Sequence, residues 1–160
     1  MSFAWEVVHD DDAPFAPRDG GGAITFQGKM WLLGGWNPDP AFAATFPRVC
    51  NSEVWVSSTG ADWERVVEQA PWEGRHCAGM AVHDGQMWIV GGDCNQGHYQ
   101  HDVWRSSDGI AWTCVCEEPP WGEPLGGRTC HLTAVHDGFI WVIGGQNMPE
   151  ATSEYHSHSF

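Results

Sequence analysis

The chain has 160 residues, 42% of them hydrophobic, and sets 7 Lys and Arg against 21 Asp and Glu for a net charge of −14. That length suits one ordinary domain with a buried core, and the charge argues against a nucleic acid or an anionic membrane as partner, since both select for basic faces. No apolar run reaches membrane-spanning length, and "MSFAWEVVHDDD" has neither a basic n-region nor an apolar h-region, so a cytoplasmic location is the expectation.

In chain order, the first element is "AWEVV" (4–8), which recurs as "DWERVV" (62–67) and "AWTCV" (111–115). Arg18 follows, and thirteen residues beyond it stands Trp31 in "TFQGKMWLLGG" (25–35). The loop "WNPDPAFAATFPRVCN" (36–51) leads to "SEVWVSSTGADW" (52–63). After "EQAPWEG" (68–74) the order repeats: Arg75, "HCAGMAVH" (76–83), an H-D-G turn, "QMWIVGG" (86–92), the loop "DCNQGHYQ" (93–100) and "HDVWRSSDGIAW" (101–112). The loop "EEPPWGEPLGG" (117–127) precedes Arg128, "TCHLTAVH" (129–136), another H-D-G and "FIWVIGG" (139–145). Trp31, Trp88 and Trp141 are 57 and 53 residues apart, and each has an Arg thirteen residues upstream. Self-similarity at such a period is the signature of a repeat architecture.

Each unit reads as four strands. Strand a follows the Arg, an Asp-Gly pair suits the tight hairpin to strand b, and strand b is a continuous apolar run, which means burial on both faces. Strand c carries Val-Trp, and S-S-T-G or S-S-D-G turns it into strand d, which begins at the second Trp. Four short antiparallel strands with a period near fifty, buried on both faces, predict a propeller blade packed between neighbouring blades.

The Arg, the apolar run ending in Gly-Gly, and the Trp on strands c and d together resemble kelch repeats, as in galactose-oxidase-type β-propellers. The resemblance covers almost the whole chain. It implies an all-β fold of four-stranded antiparallel blades, here as an incomplete ring. "SSDGIAW" sets Asp108 directly before Gly109, one residue short of the sialidase Asp-box, and that alternative is rejected. The units are a closing d strand and loop over 1–17, a blade over 18–67, a blade over 75–116, and the start of a third over 128–160. That is under three blades, where a closed propeller needs at least four. Two readings follow: a part of a longer propeller, which the count favours, or two copies assembling into one ring. The resemblance implies that N- and C-terminal strands commonly share a blade.

Up-and-down topology places the a–b and c–d turns on one face and the longer, variable b–c and d–a loops on the other. Long loops on a rigid scaffold are where recognition is usually built. Arg18, Arg75 and Arg128 enter strand a at this face. They suit a carboxylate bound bidentately, or they tie their loops to carbonyls or a neighbouring Asp. The resemblance implies the former, because arginines at this position line ligand pockets in some family members. Aromatic residues gather on the same loops: Phe15, Trp72 and Trp121 precede the three Arg, and Trp36, Phe42, Phe46 and Tyr99 are nearby. With Asn95 they offer the flat apolar faces and directional polar groups that sugar or peptide recognition needs; inter-blade packing is the alternative. The candidate ligand-binding set is therefore Arg18, Arg75, Arg128, Trp36, Trp72, Trp121, Asn95 and Tyr99.

Six cysteines (Cys50, Cys77, Cys94, Cys114, Cys116 and Cys130) form no C-x-x-C pair and read as reduced structural thiols. His98, His101 and Asp102, with His156 and His158 near the end, have metal-ligand chemistry but poor spacing for one ion. His83 and His136 belong to the turns. No metal or cofactor is expected, and Tyr99 and Tyr155 do not reproduce the copper site of galactose oxidase. No G-x-S-x-G, P-loop or H-E-x-x-H occurs. Two functions stay open: a binding module for a protein segment or glycan on the b–c/d–a face, with self-assembly into a ring as a further expectation, or part of a sugar-acting enzyme of mutarotase or oxidase type.

Overall fold

A computed structural model describes residues 3–10, 12–39, 50–94, 99–119 and 127–146. These are all β, with no helix among the described residues. Strands β1 (Gly22–Phe26), β2 (Lys29–Leu33), β3 (Val54–Ser57) and β4 (Glu64–Val67) form one antiparallel sheet in chain order. β5 (Gly79–His83), β6 (Gln86–Asp93), β7 (Tyr99–Ser106) and β8 (Thr113–Cys116) form a second. β9 (Leu132–His136) and β10 (Phe139–Ile143) form a two-stranded third. The sheets are successive blades of a propeller arc, and the arc is not closed into a ring.

Repeated local chemistry builds each blade. Gln27, Asp84 and Asp137 sit at φ near 50° ahead of Gly28, Gly85 and Gly138, also at positive φ, so the a–b turns have the left-handed pair that matches strand twist. The Trp of strand b locks this turn: the indole Nε1 of Trp31, Trp88 and Trp141 donates to the carbonyl of Phe26, His83 and His136 at 3.1, 3.0 and 3.0 Å. At the c–d turns, Ser57 Oγ accepts from the Gly60 N–H and Ser106 Oγ from the Gly109 N–H, both at 2.8 Å. Trp63 and Trp112 then donate back to the Gly60 and Gly109 carbonyls at 2.9 and 3.1 Å. Both complete sheets carry a register shift at the same place in their c–d pairing, between Val54 and Trp55 and between Val103 and Trp104.

The core lies in the seam between the first two blades. Trp31, Leu33, Val54 and Val56 on one side meet Met87, Ile89 and Trp112 on the other, with Trp72 from the connecting loop. The Gly-Gly pairs are joints of these seams. Gly35 donates to the Arg75 carbonyl at 2.9 Å and Gly92 to the Arg128 carbonyl at 2.8 Å. A Cβ on Gly34 would stand 2.6 Å from the Arg75 carbonyl oxygen, and one on Gly91 would stand 2.5 Å from that of Arg128, so no other residue admits the next blade this closely. Two-faced burial of strand b, expected in every unit, holds only for β6. β2 and β10 alternate between covered and open positions, because each has a neighbouring blade on one side.

Candidate functional site

The three arginines share one repeat position. Nη1 of Arg18, Arg75 and Arg128 donates to the carbonyl sixteen residues on, at Gly34, Gly91 and Gly144. Nε of Arg18 and of Arg75 donates two residues back, to Ala16 and Glu73. The remaining guanidinium N–H groups meet an acid, Glu53 just before β3 or Asp102 within β7. Arg18 Nη2 lies 2.7 Å from Glu53 Oε2, and Arg75 holds Asp102 through two bonds of 2.6 and 3.0 Å. The same acids accept an indole N–H, from Trp55 at 3.0 Å and from Trp104 at 2.6 Å. Burial alone would raise the pKa of Glu53. Hydrogen bonds from Trp55, Arg18 and Arg65 outweigh it and hold that carboxyl below its ordinary range. Asp102 is held down against burial in the same way, chiefly by Arg75 and then by Trp104. Arg75 is 1% exposed. Arg18 and Arg75 therefore turn their guanidiniums to their own blade's acid. Arg128 meets the Gly144 carbonyl and no carboxylate among the described residues.

One residue further along, the loop face carries a second repeated set. Asp19, His76 and Thr129 pair across the mouth with Trp36, Asp93 and Gln146 through reciprocal backbone bonds of 2.8–3.1 Å. At the first seam this brings three side chains together. His76 Nδ1 lies 3.3 Å from Asp19 Oδ1 on the preceding blade, and Nε2 lies 3.8 Å from Asp93 Oδ2 on its own. The imidazole also lies against Trp36, with centroids 6.3 Å apart and planes at 32°. Burial works against charge on His76, but Asp93 and then Asp19 outweigh it and raise its pKa above the ordinary imidazole value. When the ring is protonated, it and the two carboxylates together carry one net negative charge. Asp19 is the most open member, its side chain 66% exposed against 16% for His76.

Inside this set runs a backbone ladder. Cys77 N–H donates to the Gly20 carbonyl at 2.8 Å and Cys130 N–H to the Cys77 carbonyl at 3.0 Å. None of the six cysteines is in a disulfide. Burial, then the neighbouring Cys130, pushes the Cys77 thiol up to about 12, and burial pushes Cys50 up as well. Neither is a thiolate nucleophile at neutral pH.

The remaining predicted residues fall in different places. Trp36 lies half-buried on the seam beside His76. Tyr99 opens β7, and its hydroxyl accepts from Gln146 Nε2 of the third blade at 3.2 Å. Trp72 faces inward: it is 1% exposed and packs edge-on against Trp112 at 6.0 Å. Phe15 packs in the same way on Trp63 at 5.5 Å. Trp121 and Asn95 lie outside the described residues, as do Phe42, Phe46, His98, His156 and His158. Among the described residues, no three His, Cys, Asp or Glu side chains converge as metal ligands do. Sequence reasoning missed the Asp19–His76–Asp93 set. Its signal was available, because each member stands one residue after a repeat Arg or one after a Gly-Gly.

Residues 74–105 match the family model described as Kelch motif. The fold is similar to that of YjhT, a kelch-type propeller, with a TM-score of 0.61 and 20% identity over 83% of this chain and 36% of that one. The chain thus spans about a third of the length of that neighbour. No curated protein matches it in sequence.

Proposed function

We propose that this chain, a β-propeller arc with a kelch motif over residues 74–105, works as a binding module, recognising a protein segment or a glycan through its b–c/d–a loop face. The observation that carries this reading is the seam of Asp19, His76 and Asp93 beside Trp36. It combines an open carboxylate, an aromatic surface and a polar group fixed by two acids, on loops anchored by rigid joints. Such a surface suits ligands rich in hydrogen-bond donors, whether sugar hydroxyls or basic and amide-bearing peptide groups. The net charge of −14 favours the same ligands. An Arg-lined mouth for a sugar carboxylate has less support, because Arg18 and Arg75 already hold Glu53 and Asp102.

Calorimetric titration with neutral oligosaccharides and with Lys- or Arg-containing peptides tests the reading. Saturable binding is expected, weakened about tenfold by Trp36→Ala and by Asp19→Asn, with folding unchanged by circular dichroism. Catalytic mutarotation or oxidation of a sugar acid by the wild-type chain, or binding indifferent to both variants, overturns it.

A further inference from the structure

Two residues after each repeat Arg, the chain passes through the inner backbone ladder at Gly20, Cys77 and Cys130. Each rung is one bond between neighbouring blades: Cys77 donates to Gly20 and Cys130 to Cys77, at 2.8 and 3.0 Å. All three residues share nearly the same left-handed φ, 55°, 51° and 54°. Glycine takes this φ without strain, whereas a side chain there is uncommon. Two consecutive rungs nonetheless carry cysteine.

The first rung measures the step between successive side chains. A Cβ on Gly20 would lie 2.9 Å from Cys77 Sγ. Within a disulfide, the Cβ of one cysteine lies about 3 Å from the sulfur of the other, given an S–S bond of about 2 Å. The second rung repeats the step with a sulfur at both ends. Thr129 spans this rung: its Oγ1 donates to the Cys77 carbonyl at 3.5 Å and lies 3.8 Å from Cys130 Sγ. After burial, Cys130 is the largest influence on the Cys77 thiol. Cys50 and Cys94 are also neighbours, but both are 1% exposed. Cys77 is half-buried and Cys130 exposed, so a small reagent reaches the ladder pair first.

We propose that Cys77 and Cys130 close to a disulfide across the second seam, a reversible redox staple between the second and third blades. The co-reactant is a small disulfide of the glutathione class. Cys130 sulfur attacks it as the thiolate, forming a mixed disulfide and expelling one small thiolate. Cys77 sulfur then attacks Cys130 sulfur, and the second small thiolate leaves. Two protein thiols are oxidised, one small disulfide is reduced to two thiols, and both protein protons end on the thiols released. The second step is the slow one, because Cys77 is rarely ionised at neutral pH. His76 and Thr129, which pair with Asp93 and Gln146 across the mouth, stand next to the two sulfurs. The closed staple therefore fixes the loop face on both sides of the seam.

Incubation of the reduced whole chain with millimolar glutathione disulfide, followed by denaturing alkylation and peptide mapping by mass spectrometry, tests this. The expected product is an intramolecular Cys77–Cys130 link, two hydrogens lighter than the reduced chain, with Cys50 and Cys94 still alkylated. The urea midpoint should rise by about 1 M on oxidation and return with dithiothreitol. In Cys77→Ser, glutathione should stay on Cys130 as the mixed disulfide. In Cys130→Ser, the midpoint should not respond to the oxidant. A chain that stays fully reduced, a Cys130 mixed disulfide that persists in the wild type, or a Cys50–Cys94 link in its place overturns the proposal. So does a link formed only between chains, or a midpoint shift retained by Cys130→Ser.

Discussion

Residues 82–92 and 135–145 are nearly the same eleven letters, and they form the same hairpin in the same register, with Ala81 opposite Trp88 and Ala134 opposite Trp141. Their surroundings differ. At matched positions, Val90 is 2% exposed and Ile143 52%, and Met87 and Ile89 are fully buried where Ile140 and Val142 are only half-buried. The hairpin is therefore made locally, by the Asp-Gly turn and the indole tie across it. Burial comes from whichever blades stand on either side. In a repeat fold, stability is shared between units and seams, and these two stretches separate the two contributions.

The largest contrast is expected at the arginines. Arg75→Ala leaves Asp102 without its cation in a buried setting and should cost about 3–5 kcal/mol, read as a drop in urea midpoint. Arg128→Ala removes a carbonyl tie on the open blade and should cost under about 1 kcal/mol. A smaller contrast is expected on the matched apolar positions. Val90→Ala should cost about 2 kcal/mol, and Ile143→Ala under about 1 kcal/mol.

The smallest effects follow from protonation. Glu53 and Asp102 have depressed pKa values, so their contribution is present above the ordinary carboxylate range and lost as pH falls through their folded values. The first two blades should therefore lose protection in acid before the hairpin of the third, as read by hydrogen exchange. His76 has a raised pKa, so its contribution is full below the unfolded imidazole value and fades as pH rises through the folded one. His76→Gln should flatten that alkaline decline and leave the acid limb unchanged.

Much of the fold was legible because its determinants are local and recur. Asp-Gly turns, S-S-D-G turns and Trp at fixed offsets report on hairpins whatever their neighbours are. The arginines were legible as positions but not as partners, since the acid that Arg75 holds lies 27 residues away on another strand. The sequence names that acid only as one Asp among many. Trp72 read as a loop aromatic because its loop is polar, and only the seam shows that the ring turns inward onto Trp112. His76 was hidden because its role depends on Asp19, a residue of a different blade.

The joint at Gly-Gly has a consequence for how such chains grow. Gly35 and Gly92 reach the next blade through backbone N–H groups and meet a backbone carbonyl. The connection makes no demand on the side chains of the incoming unit. A gene encoding one blade can be duplicated in tandem, and the new copy carries both its own donor and its own acceptor for the coupling. Side-chain size enters instead at positions such as Gly22 and Gly79, where a Cβ would collide with Met80 or with His131 and Thr133 of the next blade.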